Sequence, residues 1–146
     1  MKIIAWVVVC VLLGGVAAGA QGSGGGEKVL SQAQVFPVDG MTMRKMANGG
    51  ESRDVVRGAL VTGEAVGVHE SVLPVGSVPN PQHVIQHSEL IMVQEGTVEF
   101  EHGEKAERVG AGGVIYVALG TMHTLKNVGD VPAKYFVVAI GGDMKK

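Results

Sequence analysis

Alternating and continuous apolar runs recur through the chain, and they predict short β-strands rather than helices. In Ala65–Leu73 the valines share one parity with Glu70, whereas His69, Ser71 and Leu73 share the other parity. Such alternation is typical of a half-buried strand, and no segment has a convincing helical period. Further strands are predicted at residues 52–57, 90–94, 97–101, 114–117, 121–125 and 134–140.

Glycine and proline residues separate these strands. Residues 74–81 contain three prolines, which lack the N–H group that a sheet ladder needs. An edge strand is predicted near residues 35–38, because Pro37 argues against a central position in a sheet. Many short strands joined by Gly-rich turns indicate an antiparallel β-sandwich or β-barrel.

Residues 1–20 have the pattern of a secretory signal peptide. Lys2 supplies a basic start, residues 3–16 form an apolar core, and Ala18-Gly19-Ala20 is a cleavage pattern. An uncleaved membrane anchor is the competing interpretation, but the apolar run is shorter than the ~20 residues needed to cross a bilayer. We therefore expect cleavage after Ala20, export to the periplasm or out of the cell, and no stable membrane anchor.

Cleavage would change the composition from which a functional class can be judged. The only Trp (Trp6) and the only Cys (Cys10) lie in residues 1–20, so the remaining chain has no disulfide and depends on core packing. Loss of Lys2 makes the formal charge of −2 one unit more negative. A weakly acidic chain without a basic run gives no reason to expect nucleic-acid binding.

Composition and patterning together divide the chain into four parts. Residues 1–20 are the signal peptide, and residues 21–28 are a Gly/Ser-rich linker with too few side chains to pack. Residues 29–64 are predicted to hold N-terminal strands and loops. Residues 65–142 are predicted to form the core of the domain.

The histidines are concentrated in one stretch of the chain. Four of the five histidines lie within residues 83–127, and Glu89 accompanies them. Imidazole and carboxylate groups suit iron, manganese, zinc, nickel or copper. In an unbroken strand at ~3.3 Å per residue, His83 and Glu89 would be about 20 Å apart and could not share an ion. A shared site therefore needs a corner of the chain near residues 86–88.

The spacing of these residues resembles the two motifs of the cupin superfamily, in particular its short, exported, single-domain members. The first motif is matched by Gly76, His83, Glu89 and Gly96. The second motif is matched by Gly112, Gly120, His123 and Asn127. The resemblance covers roughly residues 65–140 and implies an all-β fold, a small antiparallel β-barrel of the jelly-roll or double-stranded β-helix type.

The resemblance also implies a metal site. In cupins, two histidines and the glutamate of the first motif bind one metal ion together with the histidine of the second. Here the pattern implies His83, Glu89 and His123 as ligands of one divalent transition metal ion. Ile85 stands where the second histidine belongs, and it cannot coordinate a metal. His87 could supply a fourth ligand, or it could be an exposed corner residue.

Other polar residues of the motif region are expected to have structural roles. Ala118 replaces the usual proline of the second motif, which removes no ligand. Asn127 is expected to stabilise a turn rather than to bind a ligand. His69 and His102 are expected to be structural or surface residues.

Cupins include enzymes, storage proteins and binding modules, so two functional hypotheses follow. In the first, the exported protein binds a metal ion and a small organic molecule, and the metal acts as Lewis acid or oxygen-binding centre if the protein is an enzyme. No general base or nucleophile stands out, so no reaction is assigned. In the second, Ile85 has made part of the pocket apolar, and the protein is a non-catalytic small-molecule-binding module. By analogy with cupins, residues 29–38 could mediate a homodimer.

Overall fold

The computed structural model describes residues 28–142, and all of its regular secondary structure is β. The predicted signal peptide and residues 21–27 of the predicted linker lie outside the described residues. Among the described residues there is no helix long and apolar enough to cross a membrane.

The described residues form strands that build two sheets. The strands are β1 (Val29–Leu30), β2 (Arg44–Lys45), β3 (Glu51–Leu60), β4 (Ala65–Leu73), β5 (His83–Val84), β6 (Ser88–Glu95), β7 (Thr97–His102), β8 (Lys105–Gly110), β9 (Val114–Val117), β10 (Met122–Asn127) and β11 (Ala133–Ile140). One sheet has the order β1-β3-β4-β11-β6-β9, with β2 also paired to β3. The other has the order β5-β10-β7-β8.

The two sheets enclose one hydrophobic core, which confirms the predicted all-β jelly-roll barrel. All strand pairs are antiparallel except β1 with β3. Ile91, Val93 and Val137 of the larger sheet belong to the same buried cluster as Val98 and Phe100 of the smaller sheet. Burial of these side chains between the sheets is the main favourable contribution to folding.

The strands predicted from apolar runs are confirmed, with bounds that shift by one to a few residues. The predicted edge strand near residues 35–38 is wrong, because the described chain has no strand between β1 and β2. Instead Val29 and Leu30 pair with the end of β3. The pattern also missed β8, whose six residues are exposed at all but one position. An edge strand of this kind has almost no apolar face from which to recognise it.

The two parities of β4 have different surroundings. His69 and Ser71 line a cavity between the sheets, and Leu73 belongs to the core. Glu70 points to the opposite face, where it is 2% exposed and forms ion pairs with Arg53 and Lys134. The alternation predicted for this strand is confirmed, and the charge that interrupts its valine side is buried in ion pairs.

The chain turns a corner between β5 and β6, as a shared site requires. β5 ends at Val84 in the smaller sheet, residues 86 and 87 form a bend, and β6 begins at Ser88 in the larger sheet. Gly142 lies directly against the backbone of Gln86 and His87, and its φ is +61°. Residues that follow the last strand therefore support this corner from outside.

Asn127 holds a loop against the end of β4, which confirms the turn-stabilising role predicted for it. Its amide Nδ2 donates hydrogen bonds to the carbonyl oxygens of Leu73 and Val131, both at 2.9 Å. Its Oδ1 accepts a hydrogen bond from the backbone N–H of Gly129 at 2.9 Å. One side chain thus forms hydrogen bonds with three backbone groups at the end of the sheet.

We expect Asn127→Ala to destabilise the protein by about 1–3 kcal/mol, because backbone partners of a half-buried amide lose their hydrogen bonds. Urea unfolding of both proteins measures the change. Gln94→Ala removes an exposed amide from β6 and should change stability by less than about 0.5 kcal/mol. Equal effects of the two substitutions would contradict the role given to Asn127.

Gly142→Ala tests the support of the corner, and Gly103→Ala is its matched control. Gly103 has a similar φ of +55° but nothing within 4 Å of an added Cβ. The control should lose about 1–2 kcal/mol of stability from the left-handed backbone alone. Gly142→Ala should lose at least about 1 kcal/mol more, because its Cβ meets backbone atoms of Gln86 that cannot move without moving the corner. Thermal and urea unfolding compare the two variants, and no difference between them would show that the corner needs no such support.

Candidate metal centre

A cavity of about 550 Å³ opens between the two sheets. All four residues for which a metal role was predicted line it, namely His83, His87, Glu89 and His123. They come from the corner between β5 and β6 and from strand β10. The structure therefore brings together residues that lie up to forty positions apart in the sequence.

The pairing of β5 with β10 places two of the histidines side by side. His83 and His123 are opposite each other in the antiparallel ladder, and their ring centroids are 4.7 Å apart. The His123 side chain is 5% exposed, whereas His83 is exposed at the mouth of the cavity. One imidazole therefore lies deep in the cavity and the other near solvent.

Both of these histidines have a fixed tautomer. His123 Nδ1 is 3.1 Å from the carbonyl oxygen of Thr121, and His83 Nδ1 is 3.2 Å from that of Pro81. A carbonyl oxygen only accepts hydrogen bonds, so each Nδ1 carries the proton and each Nε2 of the neutral ring keeps its lone pair. Burial lowers the pKa of His123 below its ordinary value, which favours the neutral ring. Metal-binding histidines commonly donate their second ring N–H in this way.

Glu89 lies between His87 and His123. Its side chain is 11% exposed, and its Oε1 accepts a hydrogen bond from His87 Nε2 at 2.8 Å. Its Oε2 is 3.9 Å from His123 Nε2. His87 is thus no exposed corner residue, because it is half-buried and contacts the carboxylate directly.

The donor atoms fit a metal ion in chemistry but are not arranged as a finished site. Two ligand atoms about 2.1 Å from one ion at tetrahedral or right angles lie roughly 3.0–3.4 Å apart. The two separations from Glu89, 2.8 and 3.9 Å, fall on either side of this range. Consistent with this, within residues 28–142 no group of three or more His, Cys, Asp or Glu side chains has an arrangement that could hold a metal ion. Small rotations of Glu89 would have to accompany binding.

Ile85 occupies part of the cavity wall where the motif would place a second histidine. It is 5% exposed and belongs to the hydrophobic core. Its carbonyl oxygen accepts a hydrogen bond from the N–H of Gly120 at 3.0 Å, so the two motif segments are also joined through their backbones. The isoleucine therefore packs the cavity wall and supplies no ligand.

Sequence reasoning missed several residues that line the cavity. His69 was assigned a structural or surface role but faces the cavity from β4, on the parity that also contains the core residue Leu73. His69 and the apolar Leu73 lie on the same side of the strand, and this feature of the sequence could have predicted that His69 faces the interior. Tyr135 of β11 also lines the cavity, and burial raises its pKa to about 12, so its hydroxyl stays protonated at neutral pH.

His102 does not line the cavity and lies behind Phe100 instead. Its ring stacks on Phe100 with centroids 4.8 Å apart, and its Nε2 is 2.7 Å from Glu107 Oε2. Phe100 in turn lies 5.6 Å from the ring of His123. The structural role predicted for His102 is consistent with this packing.

Comparison with known proteins bears on both the fold and the family. Residues 68–139 match the cupin domain family. No curated protein matches the chain.

Several solved structures share the fold. A predicted oxalate decarboxylase from Thermotoga maritima is 21% identical with a TM-score of 0.59, over 74% of this chain and 99% of that one. An RmlC-like cupin from Shewanella frigidimarina is 12% identical with a TM-score of 0.60, over 79% of this chain and 97% of that one. An RmlC-like cupin family protein with a double-stranded β-helix fold, from Methanocaldococcus jannaschii, is 16% identical with a TM-score of 0.52, over 77% and 93% of the two chains. At these identities the likeness shows the fold alone, and residues 68–139 are the part of the chain that matches the cupin domain family.

Proposed function

We propose that this protein binds one divalent transition metal ion and a small organic molecule in its cavity. The ligands of the ion are His83, Glu89 and His123, with His87 as a fourth donor. The observation that supports this most directly is the orientation of His83 and His123, whose Nδ1 atoms face backbone carbonyls while each Nε2 keeps its lone pair. Glu89, which is mostly buried, lies beside His123.

The chain's own residues prepare this site in two ways. Backbone carbonyl oxygens hold the two imidazoles in the tautomer that a metal needs. Burial lowers the pKa of His123, which favours the neutral ring that a metal ion needs. When bound, iron, manganese, zinc, nickel or copper would supply Lewis acidity or an open coordination position for a small molecule.

The cavity has the size of a small-molecule site. Its volume of about 550 Å³ lies within the range of about 300–1,000 Å³ that ligand pockets usually have. Its wall combines apolar side chains such as Ile91 and Leu125 with polar groups such as Ser71 and Tyr135. No nucleophile or general base with a clear position stands out among these residues, so we assign no reaction.

Metal loading tests the proposal directly. After incubation with iron(II), manganese, zinc, nickel and copper in separate samples, mass spectrometry should find one ion per chain for at least one metal. His123→Ala and Glu89→Gln should each weaken its affinity at least about tenfold, a loss of about 1.4 kcal/mol. His87→Ala should weaken it less, and an unchanged affinity would exclude His87 as a ligand.

His102→Ala is the matched control, because it removes a histidine near the cavity that does not line it. Its metal affinity should equal that of the unchanged protein. The metal proposal would be contradicted if the unchanged protein bound none of the five metals more tightly than the Glu89→Gln protein does.

A non-catalytic binding module is the second candidate function, and Ile85 favours it. The position of a usual ligand is taken by a buried aliphatic side chain, and Glu89 already has a hydrogen-bond partner in His87. In that case the metal-free protein would bind its ligand with the same affinity as protein incubated with metal. Binding measured with and without chelator separates the two candidates.

We further propose that the protein is exported, on the strength of the apolar core and cleavage pattern in residues 1–20. N-terminal sequencing of the protein recovered from the culture medium or periplasm should begin at or close to Gln21. Recovery of the chain in the cytosol with Met1 or Lys2 at its start would contradict export.

A further inference from the structure

An arginine outside the two sequence motifs lines the same cavity. Arg44 of β2 belongs to the cavity wall and lies opposite Ser52 of β3, which also lines the cavity. The side chain of Lys45 points to the other face of the strand, where it pairs with Glu51. Arg44 is therefore the cation that β2 presents to the cavity, and a guanidinium can hold a carboxylate by two parallel hydrogen bonds.

A tight turn follows directly after β2 and fixes the position of this strand. Met46 N–H donates to the carbonyl of Gly50 at 2.8 Å, and Gly49 N–H donates to the carbonyl of Met46 at 3.0 Å. Met46 also packs against the hydrophobic core. The backbone of Arg44 is thus held beside the cavity by the fold.

The present partner of Arg44 is exposed and is therefore easy to exchange. Arg44 is 2.9 Å from Asp54, and the two side chains are 57% and 55% exposed. Exposed ion pairs contribute little to stability, typically less than about 1 kcal/mol. A ligand carboxylate can therefore compete with Asp54 for the guanidinium.

Arginines elsewhere on the neighbouring strand do not offer the same contact. Arg53 lies on the opposite face of the sheet, where it pairs with the buried Glu70. Arg57 is exposed and is not part of the cavity wall. Of the arginines in this part of the chain, Arg44 is the one that reaches the cavity.

The rest of the cavity wall favours ligands in which the anionic group is attached to a hydrocarbon body. Ile91, Leu125 and Val137 contribute apolar surface. Inorganic anions make no use of such surface, whereas an organic acid with a hydrocarbon body buries it.

We propose that the cavity binds a small organic carboxylate, with its carboxylate held by Arg44 and its hydrocarbon body packed on the apolar wall. The inference rests on the proposed function in taking the cavity as a small-molecule site, but it does not require the metal. Arg44 is accordingly a specificity-determining residue, because it distinguishes a charged ligand from a neutral one of the same shape.

Matched acids and amides test this proposal. Butyrate, hexanoate and benzoate are titrated into the full-length, chelator-treated protein, each beside its neutral amide, and binding is followed by NMR chemical-shift changes. At least one acid should bind about tenfold more tightly than its amide, as expected for a charge-assisted hydrogen bond to a guanidinium. Arg44→Gln should abolish that preference, and Arg44→Lys should retain part of it because the charge remains without the planar fork.

Arg108→Gln is the matched control, since it removes an exposed, ion-paired arginine of β8 that does not line the cavity. It should keep the full preference for the acid. Equal binding of acid and amide in all three pairs, or a preference that survives Arg44→Gln, would overturn the proposal, as would tighter binding of sulfate or phosphate than of any organic acid.

The outcomes separate this inference from the metal proposal. If only the metal proposal is wrong, no ion binds, but the chelator-treated protein still binds the acid more tightly than its amide. If only the present inference is wrong, the protein takes up metal but binds the acid and its amide equally. Each proposal can therefore fail alone.

Discussion

The short antiparallel pairing of β5 with β10 is the contact on which the candidate site depends. It sets His83 directly opposite His123, and the hydrogen bond from Gly120 N–H to the Ile85 carbonyl extends the same connection beyond the strand end. Only two residue pairs form this ladder, so it owes its stability to its surroundings. The corner at residues 86–87 then carries the chain into the other sheet and places Glu89 beside His123.

Burial of charge differs on the two faces of the larger sheet. On the outer face, Glu70 is almost fully buried and is compensated by Arg53 and Lys134. Such a group is tolerated in a fold because its partners offset the cost of desolvation. On the inner face, the ion-pair partners of Glu89 are His87 and His123, which carry a charge only when they are protonated, so the charge of Glu89 is compensated less. A buried carboxylate whose charge is poorly compensated attracts a cation. Glu70 already has its cations, because Arg53 and Lys134 pair with it.

The fold could be predicted from the sequence because its central strands are recognisable from local patterning. β4, β6, β7, β9, β10 and β11 all alternate or form apolar runs, and Gly or Pro residues lie between them. The strands that were missed lie at sheet edges or are only two residues long. β8 has almost no apolar face, and β1, β2 and β5 are defined by their partners and not by their own residues. Pro37 made residues 35–38 a plausible edge strand, but no neighbouring strand pairs with them.

The sequence by itself determined the all-β class, the two motif segments and the chemical types of the donors, because these depend on residue identity and spacing. It also indicated that a corner must lie near residues 86–88, since strand length excludes any other way to bring His83 and Glu89 together. Only the tertiary structure decided that His87 contacts Glu89, that His69 and Arg44 face the cavity, and that Arg53 does not. The reason is that the surroundings of a side chain depend on the register of its strand and on what packs opposite, and both are set by contacts between residues distant in the chain.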